Sequence, residues 1–224
     1  RLLGDTGAAR EMFAQALAAY KRLGDEYGTA MVLGDLAELE FADNRIEQAL
    51  KLADEGLGDY AGGKHANHVA RSRFNTITFQ ALTFTSATSC IALGDLDRAR
   101  DLARDGLRLA RLAQSALGIA VAVQLFALLR ALRHEVRDAA RLVGFVNLQL
   151  EELGYERGSS EKWCFEKLMV SLRGNLSEAE IGTLENEGAS WPEERAIEAA
   201  LKDYLPRKEL EGVERFPRAA RDDA

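Results

Sequence analysis

The feature that most restricts this chain is a turn-and-helix pattern that recurs four times. Gly4-Asp5-Thr6-Gly7-Ala8-Ala9 leads to Phe13, Ala16 and Leu17, and Asn44-Arg45-Ile46-Glu47-Gln48-Ala49 leads to Ala53, Gly56 and Leu57. Gly94-Asp95-Leu96-Asp97-Arg98-Ala99 leads to Ala103, Gly106 and Leu107. His134-Glu135-Val136-Arg137-Asp138-Ala139 leads to Val143 and Val146. The anchor alanines Ala9, Ala49, Ala99 and Ala139 stand 40, 50 and 40 residues apart. Such a period marks stacked helix–turn–helix units, none of which buries its apolar face alone. In the Gly-Asp pair, Gly tolerates the left-handed end of one helix and Asp accepts from the free amides opening the next. Small residues at i, i+4 and i+7 then line one face and let an antiparallel neighbour come close. Further helices are predicted over about 25–42, 66–93 and 115–133. The expected fold class is all-α.

The turn pair, the small residue after it and the following Leu resemble the tetratricopeptide repeat, lengthened to about 40 residues. Asn44-Arg45 and His134-Glu135 depart from Gly-Asp, and no unit carries that family's closing Pro. The resemblance implies a right-handed α-solenoid of antiparallel helix pairs over 1–153, its first repeat truncated. A helical C-terminal cap over 154–203 and a disordered tail over 204–224 complete the expected organisation. Arg1-Leu2-Leu3 reads as the stump of a missing helix, so the chain is expected to be a piece of a larger protein. Ten extra residues between Ala49 and Ala99 fall around the Gly-rich loop 58–65, on a rim where binding loops often sit.

Beyond 153 the repeat spacing stops. Ser159 or Ser160 is placed to cap a helix to about 173, with Trp163, Phe165, Leu168 and Leu172 as its apolar stripe. Ser177 and Glu180 form a capping box opening a helix to about 187, and Ser190-Trp191-Pro192-Glu193 reads as a second, opening a helix to about 203. Residues 142–201 also resemble the closing segment of large bacterial regulators built around a signal-transduction ATPase of the STAND class. In that family an effector domain, the ATPase and a tetratricopeptide array follow one another. The resemblance implies a cytoplasmic regulatory arm of a transcriptional regulator. The chain itself holds no Gly-x-x-x-x-Gly-Lys-Ser/Thr loop.

Charge narrows the partners. With 29 Lys and Arg against 36 Asp and Glu, the net charge of −7 argues against direct nucleic-acid or anionic-membrane binding. A helix-turn-helix reading of 176–203 meets the same objection, since 177–203 carries eight acidic residues against two basic. No apolar run reaches the roughly 20 residues of a membrane span. Cys90 and Cys164 are too few for a disulfide framework and are expected to be buried and inert. His65 and His68 form one H-x-x-H pair, short of the three or four ligands a zinc site needs. No nucleophile, acid or base set is readable, so no enzyme, cofactor or metal is expected. The expected function is non-covalent recognition of a protein or peptide segment, a neighbouring domain or a small inducer. A free-standing adaptor is the alternative.

One helix is unusual. Asn75, Thr76, Thr78, Gln80, Thr83, Thr85, Ser86, Thr88 and Ser89 crowd the stretch near 74–92 with mediocre helix formers. They serve either as small residues at close helix contacts or as hydrogen-bonding groups for a ligand. In tetratricopeptide arrays the first helix of each unit lines the concave groove. By that resemblance Asp35, Glu38, Phe84, Thr88, Gln124 and Leu128 face it, with Thr and Gln as hydrogen-bonding groups and Phe84 as an apolar platform.

Overall fold

The computed structural model describes residues 6–58 and 73–202, the side chains of 73–76 excepted. Among the described residues the chain is all-helical, with ten helices and no strand. They are α1 (Thr6–Leu23), α2 (Glu26–Ala42), α3 (Ile46–Leu57), α4 (Arg73–Leu93) and α5 (Leu96–Leu112). There follow α6 (Ala116–Leu132), α7 (Val136–Glu152), α8 (Ser159–Arg173), α9 (Glu178–Ala189) and α10 (Glu193–Leu201). None of these helices is long and apolar enough to cross a membrane. The stump 1–3, the Gly-rich loop with His65 and His68, and the tail 204–224 lie outside the described residues.

The turns explain the irregular repeat signatures. Residues with positive φ end helices at Gly24 (φ 67°), Asn44 (59°), Gly58 (48°), Gly94 (85°), Gln114 (51°), His134 (63°) and Gly154 (59°). They recur every 20 residues from 24 to 44 and from 94 to 154, with Gly58 outside that spacing. Asn44 and His134 thus do the work of Gly, being among the side chains that tolerate this region best. The cap is what these two turns lose. Asp25, Asp95 and Ser115 accept from the amides of Gly28 (2.9 Å), Arg98 (3.2 Å) and Gly118 (3.0 Å), whereas Arg45 and Glu135 make no such bond. Gln114-Ser115 is a turn of the same kind that the four-fold pattern leaves unmarked.

Each helix from α1 to α7 packs on the next, and α7 then packs on α9. The anchors Ala49, Ala99 and Ala139, with Ala53 and Ala103, are completely buried between neighbours. Glycines take the largest knobs. The Phe84 ring lies over Gly106, where a Cβ would sit 2.3 Å from it, and Leu82 lies over Gly56 at 2.8 Å. Helix α6 buries fourteen of its seventeen residues, as an element apolar on all sides must. No residue of helix α1 is buried.

Two helix starts differ from expectation. Ser190 does not open α10: its hydroxyl donates back to the Glu187 carbonyl (2.7 Å), and Pro192 takes the cap position. Gly158 rather than a serine precedes α8, whose fully buried stripe is Cys164, Leu168 and Leu172, with Trp163 and Phe165 half-buried at its edges. The Ser177–Glu180 box forms as expected.

Candidate functional site

Helices α2, α4 and α6 also touch one another in series, α2 with α4 and α4 with α6. Helix α8 lies against all three and against α7. Its first turn is where polar groups gather. Glu38 on α2 accepts at Oε1 from Thr85 Oγ1 (2.8 Å) and Ser160 Oγ (2.5 Å), and at Oε2 from the Ser160 amide (3.2 Å). A carboxylate on the first amides of a helix is the favoured pairing, because the unsatisfied N–H groups carry partial positive charge.

Gln124 on α6 completes the cradle. Its Nε2 donates to the Glu161 carbonyl (2.9 Å), and its Oε1 accepts from Arg157 Nε (2.7 Å). Arg157 also reaches Asn147 Oδ1 on α7 (2.7 Å) and lies 4.1 Å over the Phe165 ring. Glu161 accepts from the Gly158 amide (3.0 Å) and from the Tyr155 hydroxyl (3.3 Å). Burial pushes the Glu161 carboxyl above its ordinary range, with Glu38 adding to the rise, and burial draws the Arg157 guanidinium down. Both cysteines are free and buried, and burial pushes the Cys164 thiol up to about 12 and Cys90 to about 11.

Of the six residues placed in the groove, the fold brings Glu38 and Gln124 together on consecutive residues of α8. Asp35 is exposed one turn before Glu38. Thr88 is buried and returns its hydroxyl to the Phe84 carbonyl (2.9 Å), and Leu128 is fully buried in the main core. Phe84 turns its ring to Gly106 on α5. Most hydroxyls of α4 serve the scaffold: Thr83 donates to the Phe79 carbonyl (2.6 Å) and Ser86 to Asp54 (3.1 Å). Sequence reasoning missed Asn147 and Arg157, and it named Thr85 as a polar residue of α4 and Ser160 as a helix cap without placing either in the site. The available signal was the four-residue spacing of Ser160, Cys164, Leu168 and Leu172, which marks one narrow face.

A hollow of about 570 Å³ opens between the end of α3 and α5, with Asp54, Asp95, Asp101, Asp105, Arg98 and Leu102 among its lining residues. Its Asp54 is already paired with Arg98 (2.6 Å). At the other end, α9 is joined to α7 by Arg137–Glu180 (3.0 Å) and Arg141–Glu187 (2.9 Å). No protein-family model, no curated protein and no solved structure matches the chain.

Proposed function

We propose that the chain is a recognition module: a right-handed solenoid of tetratricopeptide type whose inner face holds a helical segment of a protein partner. The observation that carries this reading is α8 lying across α2, α4 and α6, gripped by Glu38 and Gln124. A surface that accepts one helix has the shape and bonding groups to accept another. The left-handed turns 20 residues apart from 94 to 154 and the packing of each helix on its chain neighbour support the solenoid.

The module serves as the C-terminal regulatory arm of a larger signal-transduction ATPase that controls transcription, in the cytoplasm. This part rests on the resemblance of residues 142–201 to the closing segment of that family. It requires a Gly-x-x-x-x-Gly-Lys-Ser/Thr loop encoded upstream of Arg1 in the same gene. A gene without that loop leaves the free-standing adaptor.

Recognition is tested by proximity labelling with the full-length gene product in its source cells. Glu38→Ala with Gln124→Ala is expected to lower recovery of the labelled partners about tenfold while helix content holds. Unchanged recovery from a folded double variant sinks the inner-face reading.

A further inference from the structure

Helix α8 leaves the row of helices and comes back to it. Helices α7 and α9 meet backbone to backbone: a Cβ on Gly144 would lie 1.9 Å from the Glu185 carbonyl oxygen, and one on Gly188 1.7 Å from that of Arg141. No third helix fits between them. The chain between α7 and α9 nevertheless holds α8, which lies instead against α2, α4 and α6. The row is therefore continuous without α8. Its departure would leave the α7–α9 contact intact.

The grip on α8 is divided. Ser160, Cys164, Leu168 and Leu172, spaced by four, are buried with Met169, five of fifteen residues in all. That is the same share as in α3, four of twelve, against fourteen of seventeen in α6. Trp163 adds an edge-to-face contact with Phe41 (5.7 Å) and Ser171 donates to the Ala131 carbonyl (3.4 Å), but most of the polar hold sits at the first turn. Water or an incoming segment can take over each of those hydrogen bonds, and an incoming helix of the same pattern can cover the core positions that Cys164, Leu168, Met169 and Leu172 fill. Left-handed Gly154 before α8, and Gly174 after it, bracket the excursion with turns.

Resting on the recognition reading above, we infer that α8 is a displaceable internal occupant of the inner face, and that the partner replacing it is a helix of the same pattern. Such a helix presents a hydroxyl and free amides at its first turn to Glu38. Behind them it carries small and then large apolar residues at every fourth position, matching Ser160, Cys164, Leu168 and Leu172. Its direction is set by charge: the Glu38 carboxylate selects a helix N-terminus, where the dipole is positive, and rejects a C-terminus.

Hydrogen exchange on the full chain tests the displaceable state. Amides of 162–172 are expected to exchange as one unit, about tenfold or more faster than those of α6, and Glu38→Gln is expected to quicken them further with α6, α7 and α9 unchanged. A labelled peptide with the sequence of residues 155–175 then probes the vacated face. It is expected to bind the folded Ser160→Ala, Leu168→Ala chain about tenfold more tightly than the parent, because both changes lie on the occupant and leave the face intact. Exchange of α8 in step with α6 overturns the displaceable occupant alone. Free exchange of α8 with no peptide binding to either chain overturns the recognition reading along with it.

Discussion

Gly144 and Gly188 lie where α7 and α9 come closest, with no room for a methyl group on either. Gly188→Ala is expected to cost about 1–3 kcal/mol, read as a lowered denaturant midpoint, because the helices must move apart. Gly182, on the same helix, has nothing within 4 Å of its missing Cβ. Gly182→Ala is expected to stabilise by about 0.5–1 kcal/mol, since Ala loses less backbone freedom in a helix. Opposite signs from one substitution in one helix test the packing, and losses of similar size at both sites contradict it. Residue placement was only partly legible beforehand. Glu38 and Gln124 follow from their helices, but each further residue turns the side chain by about 100°. Phe84 was lost on that turn, because the gap that receives its ring is made by Gly106 on another helix.

Helix ends were the most legible elements, since left-handed residues and caps act locally. Ser190 was misread because it lies between two helices and its hydroxyl bonds backwards, which its Ser-x-x-Glu spacing does not reveal. Docking of α8 is expected to depend on pH through Glu161. Its folded-state carboxyl is raised by burial, so its stabilising contribution is complete below the ordinary value of about 4.3 and is lost as pH climbs through the raised one. Around it stand Glu38 on α2, Gln124 on α6, and Tyr155, Arg157 and Cys164 in or beside α8. Glu161→Gln keeps an acceptor for Gly158 and Tyr155. It is expected to raise the melting temperature at neutral pH and to flatten the pH profile above the ordinary carboxylate range. Equal slopes for parent and variant refute this coupling. The opposite sign holds at Glu180, lowered by the Ser177 amide and hydroxyl and by Arg137: its contribution is present at neutral pH and is lost on acidification.

Across the molecule, stability follows position in the row. Helix α6 touches α4, α5, α7, α8 and α10, while α1 packs on α2. Arg10 adds polar ties from α1 to Glu40 (2.8 Å) and Asp43 (2.5 Å), but no α1 residue is buried. Neighbour-to-neighbour packing makes local opening progressively easier towards the outer helices. Amides of α1 are expected to exchange about a hundredfold or more faster than those of α6, measured by hydrogen exchange with mass spectrometry. Equal protection of the two would mean the row opens only as a single block.

The amino-acid sequence by itself determined that the chain is helical and where most helices start and stop. Those outcomes depend on residues within a turn of one another, and their signals survive in a linear string. Only the tertiary structure decided which faces meet: Phe84 on Gly106, α9 on α7, and α8 across α2, α4 and α6. Ser160 and Glu38 are 122 residues apart and bond at 2.5 Å. Whether such a pair meets depends on how the intervening helices stack, because each contact is chosen by the summed burial of all of them.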